Sequence, residues 1–91
     1  MRKHGRVDAN HGEIVAAFRK AGWSVLSLAA VGDGCADLLV AHPAESDLRL
    51  IEVKGKRGTL TPDQLKFQQA FPVTVVRSVD DVQAVIEGER W

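Results

Sequence analysis

From Asn10 onward the apolar residues first fall at a helical spacing. In "NHGEIVAAFRKAGW" Ile14, Ala17, Phe18 and Ala21 make one stripe. Asn10 is placed to cap this helix, Glu13 follows three positions later as its capping-box partner, and Gly22 stops it. The spacing then changes to two. In "WSVLSLAAVG" Trp23, Val25, Ser27 and Ala29 alternate with Ser24, Leu26, Leu28 and Ala30, which predicts a short strand running into the loop "GDGC". Gly32 and Gly34 argue for unusual dihedrals there. "ADLLVAH" and "LRLIEVKG" are apolar on both faces, the pattern of strands near the centre of a sheet. The turn residues of "PAESD" between them favour a hairpin.

"LTPDQLKFQQAF" carries the clearest local signal. Thr61 is its N-cap, Pro62 takes the first helical position, Gln64 closes a capping box, and Leu60 is placed to staple against Leu65. "VTVVRS" reads as a strand. Ser78, with Asp80 and Asp81 in the first turn, opens a last helix bearing Val79, Val82, Val85 and Ile86. The predicted order is α-β-β-β-α-β-α, a single mixed α/β unit with three strands contiguous in sequence and a fourth returning after a helix. No repeat, linker or low-complexity segment divides it.

Composition adds a constraint. A 91-residue chain forms one domain and hides only about 60–65% of the surface that its unfolded form exposes, so misplaced charge is hard to tolerate. Its content, 45% hydrophobic and 26% charged, is that of an ordinary globular protein, and no apolar run approaches the roughly 20 residues of a membrane span. The basic "MRKHGR" leads into a polar helix rather than an apolar core, so the expected location is cytoplasmic. A lone Cys35 excludes an internal disulfide and argues against structural zinc. Twelve Lys and Arg balance twelve Asp and Glu. Even so, Arg2, Lys3 and Arg6 cluster without an acid, as do Lys54, Lys56 and Arg57. Any phosphate contact belongs to those two groups.

Against this background the charges inside the central strands stand out. Side chains alternate along a strand, so Glu52 and Lys54 share a face with Leu48 and Leu50, while Arg49, Ile51 and Val53 point the other way. With a turn near residues 43–47, Asp37 falls opposite the end of the next strand, beside Glu52 and Lys54. Burying such groups without a partner is expensive. Two carboxylates and the Val53 carbonyl make an all-oxygen donor set of the kind that Mg²⁺ or Mn²⁺ prefers. With Lys54 facing a phosphate, the constellation describes phosphodiester hydrolysis. The rival reading is a salt-bridged cluster with no chemistry, and the short pattern D…ExK alone does not decide between them.

Glu13 in the first helix, "GDGCAD" leading to Asp37, "IEVKGK" with Glu52 and Lys54, and "LTPDQ" with Gln64 occur in one order from about His11 to Ser78. Together they resemble the PD-(D/E)XK nuclease superfamily, most closely its virus-type replication-repair nuclease (VRR-NUC) group. That resemblance implies a restriction-endonuclease-like αβββαβ core over residues 10–78 with a mixed central sheet flanked by helices. It also implies Mg²⁺ or Mn²⁺ held at Asp37 and Glu52, a catalytic Lys54, and auxiliary roles for Glu13 and Gln64. Stand-alone members from phages and bacteria resemble homodimers acting on branched DNA such as Holliday junctions. Where the family usually has Pro before the catalytic Asp, this chain has Ala36, which loosens the approach to the strand without removing a ligand.

The expected function is therefore a metal-dependent endonuclease selective for DNA shape, the alternative being a non-catalytic nucleic-acid-binding or assembly module of the same fold. Lys56 and Arg57, with Arg2, Lys3 and Arg6, are the candidates for gripping the DNA backbone. His11, near a helix start, is a further candidate for phosphate or metal. Glu13 and Gln64 each also have a complete explanation as capping residues.

Overall fold

The computed structural model describes residues 10–42, 44 and 47–88, so Arg2, Lys3 and Arg6 lie outside the described residues. The elements are α1 (His11–Lys20), β1 (Ser24–Ser27), β2 (Leu38–His42), β3 (Asp47–Val53), α2 (Pro62–Ala70), β4 (Val73–Val76) and α3 (Val79–Ile86). One four-stranded sheet has the order β1-β2-β3-β4. The first two pairings are antiparallel and β3–β4 is parallel, so the sheet is mixed. A parallel neighbour requires a crossover, and α2 lies within it. The most apolar strands, β2 and β3, occupy the centre, as their lack of a polar face predicts.

One face of the sheet carries the core. Leu38, Val40, Ile51, Val53 and Val76 meet Ile14 and Phe18 of α1 and Val82 and Val85 of α3, and Trp23 closes the margin. Burying side chains of this size contributes about 1.5–3 kcal/mol each. Arg49 shares that face and is buried, and Asp47, two residues away on the same side of β3, accepts its Nε–H at 3.2 Å. The pairing offsets the desolvation of the guanidinium.

The ends of α1 show what local pattern reading misses. Gly22, at φ +89°, ends the helix by donating to the Arg19 carbonyl at 3.0 Å, while the Trp23 N–H reaches Phe18 at 3.0 Å. This is a Schellman stop, and only a left-handed residue closes it readily. The turn leaves Ala21 exposed, outside the predicted stripe. At the other end the capping box is absent, because the Asn10 side chain makes no cap hydrogen bond. Its Nδ2 donates instead to the carbonyls of Lys54 at 3.3 Å and Arg77 at 2.8 Å. That bond spans the tertiary structure, so no local rule predicts it.

Strand β1 is shorter than its alternation suggests. After Ser27 the chain turns, with Val31 donating to Leu28 and Cys35 to Gly32, and Gly32, Asp33 and Gly34 all take positive φ. In α2 the predicted capping box is present in full. Thr61 Oγ1 accepts from the Gln64 N–H at 3.2 Å and Gln64 Oε1 accepts from the Thr61 N–H at 2.9 Å. The helix buries no residue and leaves Leu65 half exposed, so a tight Leu60–Leu65 staple does not shield that leucine. Among the described residues no helix is long and apolar enough to cross a membrane.

Candidate functional site

The register Leu38↔Ile51 places Asp37, one residue earlier, opposite Glu52, one residue later. Directly opposed residues share a face. Both carboxyls therefore lie on the side away from the α1 and α3 core, at the end of the β2–β3 pair. The backbone makes the encounter tight: Asp37 Oδ2 accepts the Val53 N–H at 2.7 Å, and the Asp37 carbonyl accepts the Leu28 N–H at 2.8 Å. In an extended strand the N–H and C=O of one residue project to the same side, so the Val53 carbonyl also faces β2 and Asp37.

Glu52 is only 2% exposed. Its Oε2 accepts from Gln64 Nε2 at 3.1 Å and lies 3.7 Å from Lys54 Nζ. Its carboxyl is pushed up to about 8, first by burial and then by the Asp37 charge and a hydrogen bond between the two side chains, with Lys54 pulling the other way. A second carboxyl this close disfavours the charged form of Glu52. The nearby Cys35 thiol is likewise raised, by burial first and then by Glu52 and Asp37.

The approach of α2 depends on one glycine. A Cβ on Gly34, itself at φ +78°, would lie 2.4 Å from the Asp63 carbonyl carbon and oxygen and 2.8 Å from the Gln64 nitrogen. Only a residue without that atom lets the glycine loop seat against the first turn of α2. That seating delivers Gln64 to Glu52. Gln64 thus serves twice, with Oε1 capping the helix and Nε2 holding the acid.

The remaining candidates fall elsewhere. Glu13 is exposed in the first turn of α1, and no hydrogen bond or ion pair joins it to the acids among the described residues. His11 has a buried Nε2 without a hydrogen-bond partner, yet it is not gathered with the carboxyls. Lys56 and Arg57 are both exposed, at the tip of a turn closed by the Gly58 N–H on the Gly55 carbonyl at 3.1 Å. Sequence reasoning missed Arg77, whose Nη1 donates to the carbonyls of Gly55 at 2.8 Å and Gly58 at 2.6 Å.

Two carboxyls and a carbonyl are the oxygen donors that a hard cation prefers, and Lys54 and Gln64 only partly offset the burial of Glu52. It is a sparse set. Among the described residues no group of three or more His, Cys, Asp and Glu side chains gathers to hold a metal ion, so water and substrate oxygens would have to complete the coordination. Comparisons of the chain with protein families, curated proteins and solved structures find no match.

Proposed function

We propose that this chain is a divalent-metal-dependent DNA endonuclease of the PD-(D/E)XK type, with a restriction-endonuclease-like core, acting on branched DNA as a homodimer. The observation that carries the reading is the convergence of Asp37, Glu52, Lys54 and Gln64 on one end of the sheet, with Glu52 buried and raised to about 8. A salt-bridged surface cluster has no need of a buried acid whose carboxyl is held this far above its ordinary value. The Val53 carbonyl, Asp37 and Glu52 are the groups that would hold Mg²⁺ or Mn²⁺. Bound there, the cation would supply a Lewis acid for the phosphoryl oxygen and lower the pKa of a water.

The protein's own groups do the rest. Gln64 fixes the Glu52 carboxyl through its Nε2, and the Val53 N–H fixes Asp37. Lys54, held beside Glu52, orients the attacking water and neutralises charge on the phosphate. Water adds to phosphorus and gives up a proton to solvent, the P–O bond opposite breaks, and the departing oxygen takes a proton from solvent. Lys56 and Arg57 meet the DNA backbone, and a grip on the backbone favours recognition of shape.

One observation favours a second reading, a binding or assembly module without catalysis. Asp37 Oδ2 and Glu52 Oε2 already have partners within the protein, so the cluster is stable as a structural network. Cleavage separates the two. Wild-type protein with Mn²⁺ is expected to cut a four-way DNA junction in preference to linear duplex, and Lys54→Ala to lose at least about 100-fold in rate, the scale of a group acting in the transition state. No cutting by either protein would favour the module, and equal cutting by both would remove Lys54 from the chemistry.

A further inference from the structure

The turn Gly55–Gly58 lies in the chain between β3 and α2, and it has few means of holding its own shape. Its tip carries Lys56 and Arg57, both exposed, and one backbone hydrogen bond closes it. Gly55 and Gly58 at its ends give the backbone wide freedom. A free turn of this kind costs entropy when it is ordered on a ligand.

Arg77, at the end of β4, is placed against that freedom. Its Nη1 donates to both ends of the turn, the carbonyls of Gly55 and Gly58. Arg77 is itself anchored: its N–H donates to Asp81 Oδ2 at 2.8 Å, and its carbonyl accepts from Asn10 Nδ2. Asn10 Nδ2 also reaches the Lys54 carbonyl, directly before the turn. One network therefore ties the starts of α1 and α3, the end of β4 and the base of the turn. Gly58 further seats against the Lys54 side chain, where an added Cβ would lie 3.4 Å from Lys54 Cδ. The turn's conformation and the position of Lys54 are linked.

We infer that Arg77 is a positioning residue for polynucleotide binding: it contacts the turn rather than the phosphates, and presets Lys56 and Arg57 at a fixed offset from Lys54 to receive two neighbouring phosphates. The inference rests on the nuclease reading for the identity of the ligand. Both bonds come from Nη1, so that nitrogen is committed to the turn, whereas a phosphate-gripping arginine directs its fork at the ligand. Its contribution is preorganisation, which raises affinity by lowering the ordering cost.

The test is a binding cycle on a fluorescein-labelled four-way DNA junction, read by anisotropy in EDTA so that no cutting intervenes. The proteins are wild type, Arg77→Gln, Lys56→Ala/Arg57→Ala and the triple variant, with thermal melts to verify folding. Arg77→Lys, which keeps a cation and donors at the site, replaces Arg77→Gln if the latter does not fold. Arg77→Gln is expected to weaken binding about tenfold, the scale of lost hydrogen bonds to a charged group, and to have no further effect once Lys56 and Arg57 are gone. The salt dependence should flatten by about one phosphate contact or more. Additive losses from Arg77→Gln and Lys56→Ala/Arg57→Ala would mean that Arg77 touches DNA itself, and unchanged binding in Arg77→Gln would mean that the turn needs no support; either overturns the inference alone. A wild type that does not bind the junction overturns it together with the nuclease reading.

Discussion

Glu52 concentrates the chemistry of this chain in one titration. Its folded value of about 8 stands above the ordinary 4.5, so between those two values the folded state holds a proton that the unfolded state has released. Stability from this group is fully present below about 4.5 and is lost as pH rises through about 8. Metal-free wild type is therefore expected to melt at a falling temperature from pH 5 to pH 9. Glu52→Gln, a neutral mimic of the protonated acid, should flatten that slope and melt above wild type at pH 9 while losing cleavage. A slope unchanged by the substitution would remove Glu52 as its source. The placement of this acid was legible in the sequence, because strand alternation and a hairpin turn are enough to set Asp37 opposite Glu52. Arg77 was not. An arginine following a strand carries no local signal, and its role arises only where β4 returns beside the turn.

Among the elements, α2 and α3 were legible from their caps, since a side chain and a backbone N–H three residues away satisfy each other with no help from the fold. Ser78 Oγ accepting from the Asp81 N–H at 3.2 Å is a case in point. The start of α1 defeated the same logic, because Asn10 finds better partners in Lys54 and Arg77 than in its own helix. The glycine loop gave a correct warning of unusual dihedrals, but not its reason, the close approach of α2. Gly34→Ala tests that reason. Strain at positive φ and the clash with Asp63 are expected to cost about 1–3 kcal/mol in a denaturant titration. The variant should lose cleavage beyond what stability explains, because Gln64 withdraws from Glu52. Retained activity at full folding would show that this contact is dispensable.

For the molecule as a whole, charge explains little and placement explains much. Twelve cationic and twelve anionic side chains cancel, so no general field draws a polynucleotide or a cation to this protein. What remains is local, a basic turn next to an acid pair at one end of a four-stranded sheet. The mixed α/β architecture followed from the apolar pattern, since β2 and β3 had no polar face to give to solvent. The opposite sheet surface was not anticipated in detail, and Leu26 and Leu48 are 58% and 62% exposed there. The central claim is that Asp37 and Glu52 together take a divalent cation. Mn²⁺ binding, followed by electron paramagnetic resonance at pH 8 on wild type, Asp37→Asn and Glu52→Gln, tests it most directly. The account predicts a bound ion in wild type that either substitution removes; wild type binding no Mn²⁺, or binding that survives either substitution, would contradict it.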